Sequence, residues 1–526
     1  MDDAGKITST SHLIVSPDEG TFLDLFKHIV LSDLGSGAKF FRASDQRVPA
    51  TAAYYSRWPV SVFICKILQL FQMPAAMLGH LTDFLLNFYY QNHGFLGILR
   101  NIFLIRLKIP KRGEADFIST IGYLDSRMDL HGTPMVSHQA DEVISNADNP
   151  SLKEGHNSKI KGALGNRSLM DLCIMASKLA YENTKVVERV VAEHWKMHFV
   201  ADYGGMNYFQ DARNTHAFIF CDKPKDANLI VISFRGTGPF SIPNWCTDFD
   251  FSLVGLGDAG SVHVGFLEAM GLGHRNSISS FETSINTKSP GSITELRKES
   301  EMAPDHLVWA YDGVYFLAAS TLKGLLKDHK NAKFVVTGHS LGGALAILFT
   351  CILEIQQETE VLDRLLNVYT FGQPRIGNYN LGYFMQNRLN FPERRYFRVV
   401  YCNDMVPRVP FDDVFFTFEH FGTCIYYDSR FFGYFTKEEP SRNPFGIENA
   451  ISAHITAWWE LWRSFILNHV YGAEYKETWE SRMFRILGLF LPGVAAHSPV
   501  NYVNSVRLGR ELAIPLMSLK MMAQGY

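Results

Sequence analysis

Hydrophobic and polar positions alternate in two registers along most of this chain, and a third pattern occupies its first quarter. From Ser168 onward, LMDLCIMASKLAYENTKVVERVVAEHW carries apolar residues at helical spacing. HAFIFCD and NLIVISF then read as a pair of strands, and a helix is expected over roughly 306 to 328. FVVT at 334–337, LNVYTF and RYFRVVY are short apolar runs of β-branched and aromatic residues, suited to interior strands, and LGGALAILFTCIL between them is helical. Helices alternating with apolar strands predict an α/β fold whose mostly parallel sheet is covered on both faces.

Residues 58–107 follow a different rule. A membrane-spanning helix needs about 20 predominantly apolar residues, and here Lys66, Gln69, Gln72, His80, Asp83 and Asn87 interrupt the run. The interruptions recur every three or four residues and continue to Gln91, so they draw a narrow polar stripe along otherwise greasy helices divided at Pro74. GFLGILRNIFLIRLK adds a third apolar element ending in basic residues. Helices lying in a lipid interface fit this profile; the other reading is a buried helical hairpin packed on the rest of the protein.

These patterns divide the 526 residues into an N-terminal segment 1–57, an apolar helical region 58–136, a polar turn-rich linker 137–167 and a globular domain 168–526. Insertions into that domain are expected at about 274–304 and 411–490. Composition narrows the partners. Aromatic residues make up 13% and net charge is only −3, so no basic excess exists for nucleic acid and an apolar partner is favoured. The start MDDAGKITSTSHLIVSPDEG shows neither a basic n-region nor an apolar h-region, so no secretory signal is expected. Seven scattered cysteines without a C-x-x-C pair suit reduced thiols in a cytosol-facing protein.

The strand FVVT runs into its helix through GHSLG, and this junction carries the first candidate chemistry. A sharp strand-to-helix turn forces strained angles and close chain approach, which Gly338 and Gly342 permit. Ser340 is then projected at a helix N-terminus, where free N–H groups and the helix dipole can stabilise an oxyanion. Such a serine becomes a nucleophile only when a histidine takes its proton and a carboxylate holds that histidine.

In this arrangement the acid and then the histidine follow the serine along the chain. Asp404 lies directly beyond RYFRVVY, in a loop shaped by Pro407 and Pro410, whereas Asp412 and Asp413 come after the prolines. Four histidines follow. His454 and His469 belong to an aromatic helical stretch, and His420 in FEHFGTC could support the acid loop. His497 in LPGVAAHSPVNYV sits between loop formers and is the chosen base, with His420 in reserve. Leu341 supplies one oxyanion N–H and Thr237, after strand NLIVISF, the other. GPFSIPNWCTD, with Pro239, Phe240, Ile242 and Trp245, reads as an apolar lid over the site. No metal or redox cofactor is called for, because the triad chemistry is complete without one and no C-x-x-C or H-E-x-x-H spacing occurs.

FRGT at 234–237, NWCTDFDF at 244–251, VHVGFLEA at 262–269, VTGHSLGGALA at 336–346, YTFGQPRIGN at 369–378 and NDMVPRVP at 403–410 together resemble the class 3 lipases, the fungal-type triacylglycerol lipase family. The resemblance implies the α/β-hydrolase fold, Ser340 as nucleophile, Asp404 as triad acid, Thr237 and Leu341 as oxyanion donors, and a lid within 238–250. The greasy N-terminal region and the long aromatic insertion look like those of plant oil-body lipases. That implies hydrolysis of stored triacylglycerol at the cytosol-facing surface of lipid droplets, with the endoplasmic reticulum membrane as a second location. A phospholipase A1 or galactolipase, an acyltransferase, and a non-catalytic lipid-surface protein remain as alternatives.

Overall fold

The computed structural model describes residues 12–43, 58–131, 167–207, 212–287, 307–310, 313–390, 393–411, 418–440, 446–471 and 474–511. Its centre is a ten-stranded sheet. In chain order the strands are β1 (His198–Asn207), β2 (Ala212–Cys221), β3 (Leu229–Phe234), β4 (Leu307–Ala310), β5 (Lys333–His339), β6 (Leu365–Phe371), β7 (Tyr396–Tyr401), β8 (Thr423–Tyr427), β9 (Phe432–Thr436) and β10 (Arg510–Glu511). Their spatial order is β10-β9-β8-β7-β6-β5-β3-β2-β1-β4. The middle of the sheet, β3-β5-β6-β7-β8, is parallel throughout. HAFIFCD and NLIVISF pair, as read from the sequence, and they run antiparallel.

Burial follows the alternation of apolar runs. Every residue of β3 and β7 is buried, which is what strands covered on both faces require. One core lies between the sheet and the helix after β5, with Ile230, Val336 and Leu345 among its members; a second lies on the other face around Val231, Val335 and Val399. One expectation needs correction. The stretch 306–328 is not one helix: Leu307–Ala310 pairs with β1 as an edge strand, and the helix is Val314–Asp328. Within 274–304, Ile278–Asn286 is a helix that buries Phe281 and Ile285, while residues 288–306 and the linker over 137–166 lie outside the described residues.

The N-terminal segment is zipped onto the large domain. His12–Val15 pairs with Leu253–Gly255, Leu13 opposite Leu253, in a small four-stranded antiparallel sheet. Three helices follow: α1 (Trp58–Leu70), α2 (Gln72–Gln91) and α3 (Gly94–Phe103). The break between α1 and α2 falls at Phe71, and Pro74 sits in the first turn of α2, where its missing N–H costs nothing. Among the described residues no single helix is long and apolar enough to cross a membrane; Pro59–Leu70 and Gln72–Gln91 reach that length only together, bent by 55°.

Most of the polar stripe of these helices faces the protein, while Gln72 and His80 are exposed. Lys66 donates to the Gly20 carbonyl at 2.6 Å and Gln69 to Asp18 at 2.8 Å. Asp83 accepts from the Thr120 hydroxyl at 2.6 Å, and Asn87 exchanges hydrogen bonds with the backbone of Ile118 at 2.7 and 2.9 Å. The greasy side is left outward, with Leu96 80%, Phe103 87% and Ile105 93% exposed.

Five further helices position the site. They are α4 (Ile242–Asp248), α5 (Leu341–Ile355), α6 (Ile447–Tyr471), α7 (Trp479–Gly488) and α8 (Pro492–Ala496).

Candidate active site

Ser340 stands between β5 and α5 with φ 60° and ψ −135°, a conformation that side chains rarely adopt. The flanking glycines are sterically required. A Cβ on Gly338 would lie 2.1 Å from the Gly342 carbonyl oxygen, and one on Gly342 would lie 2.2 Å from that of Phe234. Leu341 is the first residue of α5, so its N–H has no acceptor within the helix.

The loop after β7 brings Asp404 to His497. Asp404 Oδ2 lies 2.8 Å from His497 Nδ1, and Asp404 Oδ1 accepts the Val406 N–H at 2.9 Å. The Tyr502 hydroxyl donates to the same Oδ2, so the carboxylate is held on three sides. With Nδ1 engaged, the ring nitrogen of His497 left over is Nε2. Both His497 Nε2 and the Ser340 hydroxyl are buried without a hydrogen-bond partner. A catalytic role is one reason for a buried polar atom to lack a partner, and here the two atoms belong to the elbow serine and to the histidine held by Asp404.

His339, the residue before the serine, has a part that the motif does not announce. Its Nε2 donates to the His497 carbonyl at 3.0 Å and its Nδ1 accepts from the Tyr181 hydroxyl at 2.8 Å. Its ring lies 4.6 Å from that of His497. Burial, and then the neighbouring His497, hold its pKa well below the ordinary value, so it is a neutral imidazole with a fixed tautomer. Neither His339 nor Tyr502 was singled out from the sequence, although one lies inside GHSLG and the other five residues beyond His497.

Thr237 is buried at the end of the loop after β3, with its hydroxyl 3.4 Å from Asp248 Oδ2. Asp248 is fully buried, and desolvation pushes its pKa up to about 8. The segment read from the sequence as a lid contains a short helix, α4. Trp245 reaches the ring of His497 at 6.1 Å, and its indole N–H donates to the Pro239 carbonyl at 3.4 Å. Pro239 is exposed, Phe240 half-buried, and the side chain of Ile242 lies outside the described residues.

The N-terminal helices pack against this same segment. A Cβ on Gly79 of α2 would come within 2.7 Å of Phe240 Cβ. Cys65 of α1 and Cys246 of α4 each point a thiol at the other's carbonyl, at 3.7 and 3.8 Å. All seven cysteines are buried and free. A cavity of about 530 Å³ opens between α2 and the end of β3, beside Gly238–Ser241. Arg235 lines it with a buried Nε that has no partner, but Ser340 does not line it.

The other candidates lie apart. His420 precedes β8 in a loop and bonds the Pro407 carbonyl at 2.7 Å, bracing the acid loop without touching Asp404. His454 and His469 sit exposed on α6, where His454 bonds its own Ala450 carbonyl at 2.7 Å. Asp412 and Asp413 lie outside the described residues. Among the described residues no group of three His, Cys, Asp or Glu side chains is arranged to hold a metal.

Comparison with known proteins agrees with this architecture. Residues 231–414 match the class 3 lipase family. A protein of Arabidopsis thaliana, triacylglycerol lipase OBL1, is 45% identical over 519 residues, covering 97% of both chains. Triacylglycerol lipase OBL1 of Nicotiana tabacum is 42% identical over 573 residues, covering 98% of both. The solved lipase of Rhizopus microsporus var. chinensis is 21% identical and covers 60% of this chain and 84% of its own, with a TM-score of 0.30. The chain therefore belongs to the class 3 lipase family and is a serine ester hydrolase of the α/β-hydrolase fold.

Proposed function

We propose that this enzyme hydrolyses triacylglycerol at the cytosol-facing surface of lipid droplets, through a triad of Ser340, His497 and Asp404. The observation that carries the triad is the 2.8 Å contact of Asp404 with His497, which leaves His497 Nε2 and the elbow hydroxyl as the unpartnered atoms. The two nearly full-length relatives, both named triacylglycerol lipases, support the substrate. The outward apolar face of α1–α3 supports lipid as the place of work.

In the first half-reaction the Ser340 oxygen adds to the ester carbonyl carbon while its proton passes to His497 Nε2. The oxyanion is received by the N–H of Leu341 and by Thr237. The bond to the glycerol oxygen then breaks, and that oxygen takes the proton from His497. Water repeats the sequence on the acyl-enzyme, releasing a fatty acid and restoring the serine. Asp404 holds Nδ1–H and stabilises the imidazolium in both halves. Trp245 and Phe240, over the site, are displaced when lipid replaces water around the lid.

The test is fatty-acid release from emulsified triolein and from phosphatidylcholine vesicles, wild type against Ser340→Ala. Preferential cleavage of triolein, lost in the variant, is expected. Faster cleavage of the vesicles would turn the reading towards a phospholipase, and equal rates in the variant would remove Ser340 from the mechanism.

A further inference from the structure

Two helices of the aromatic insertion are inside out. On α6, Ile447, Ile451, Ile455, Trp458, Trp462 and Phe465 recur at helical spacing and are all exposed, Trp458 by 63%. The opposite face buries Glu460, Arg463 and Ser464. There Glu460 accepts from the Tyr401 hydroxyl at 2.5 Å and from Arg485 of α7 at 3.0 Å, and Arg463 donates to Tyr401 at 2.7 Å. From Ile451 to Tyr471 these two are the only Asp, Glu, Lys or Arg residues, so the outward side of that stretch carries no formal charge. α7 repeats the arrangement, with Arg485 and Ser481 buried while Trp479, Met483 and, just beyond the helix, Phe490 are exposed.

A helix packed against a domain in water does the reverse, turning its apolar stripe inward and its charges out. Burying an ion-pair network while leaving tryptophans outside is favourable only where the outside is itself apolar. α1–α3 show the same inversion, and the two regions adjoin: Tyr90 of α2 donates to Glu480 of α7 at 2.5 Å, and Thr478 to the Leu124 carbonyl at 3.0 Å. At 1.5 Å per residue α6 alone runs about 37 Å, and its exposed stripe is far longer than the isolated patches of a soluble monomer. Tryptophan and tyrosine among isoleucines are the mixture that settles at a lipid–water boundary.

We propose that α6 and α7 form a second docking platform, which seats in the surface of an acyl-lipid particle together with α1–α3. The proposal rests on the lipid-surface reading above and goes beyond it by assigning a binding role to the insertion. Its position gives the platform a purpose. Ala457 and Glu460, on the inward side of α6, line one small cavity together with Asn403 and Ala496, the neighbours of Asp404 and His497, so the acid and base loops lie beneath the platform.

The test is flotation of the full-length protein with triolein droplets coated in phosphatidylcholine. Ile455→Glu/Trp458→Glu/Trp462→Glu is expected to lower the bound fraction at least tenfold while Ser340→Ala floats like wild type. The milder pair Trp458→Ala/Trp462→Ala, with a melting curve to check folding, should lower it several-fold. Flotation equal to wild type in both variants overturns the proposal. So does a wild-type dimer, seen by light scattering, that the substitutions dissolve without changing flotation, because the face then covers a second copy. Loss of flotation in the variants of a protein that releases no fatty acid from triolein would leave the platform standing and sink the triacylglycerol reading alone.

Discussion

His497 Nδ1 lies 2.8 Å from Asp404 Oδ2 although they are 93 positions apart in the chain, with β8, β9, α6, α7 and α8 in the interval. In the proposed triad the carboxylate fixes which imidazole nitrogen is protonated and stabilises the cation that forms on proton transfer. Asp404→Asn keeps the shape and removes the charge. It is expected to lower kcat by about 10⁴-fold with little change in KM; a loss below tenfold would show that another group holds His497.

Tyr502 and His339 hold the pair in place. A hydrogen bond to a charged group contributes about 1.5–3 kcal/mol, so Tyr502→Phe should cost at least tenfold in kcat. His339→Phe frees the His497 carbonyl, and its loss should also fall on kcat and not on KM. If either substitution acts on KM alone, the residue belongs to substrate binding.

Asp248 gives the fold a dependence on pH. Its folded pKa is raised to about 8 by burial, so between an ordinary carboxylate value near 4 and about 8 the folded protein keeps a proton that the unfolded chain has released. The stability this confers is fully present below the lower value and is lost as pH rises through the upper one. Asp248→Asn never ionises. The melting temperature of wild type relative to this variant should fall steadily from pH 4 to pH 8 and then level; a constant difference would contradict the burial argument.

Gly79 marks where α2 rests on the lid. Any side chain there must displace Phe240, and overpacking costs about 1–3 kcal/mol, set against the covered position of the lid. Gly79→Val should raise cleavage of a dissolved short-chain ester several-fold and reduce the gain on adding an emulsion. An unchanged ratio of the two rates would mean that α2 does not restrain the lid.

What the sequence disclosed followed from how local each signal is. Ser340 and its glycines were legible because the elbow is one turn long and its steric demands fall on adjacent positions. The strands of the parallel centre were legible because burial on both faces leaves continuous apolar runs. Leu307–Ala310 reads as part of a helix because a four-residue apolar run just ahead of helical spacing looks like its first turn, and only pairing with β1 across the sheet decides otherwise. The polar stripe of Lys66, Asn87 and Gln91 was visible as a stripe, but its direction depends on Gly20, Ile118 and Asp116, which no periodicity connects to it. For the same reason the inversion of α6 escaped notice, since an amphipathic pattern reads alike whichever face is outward.

The most direct test of the mechanism is the site of covalent trapping. A long-chain alkyl phosphonate ester is mixed with the full-length enzyme, and the modified peptide is identified by mass spectrometry. The account predicts one adduct, on Ser340, formed in step with loss of activity and slowed by at least ~10³-fold in Asp404→Asn. Inactivation with the adduct on another residue, or full activity with Ser340 modified, would contradict it.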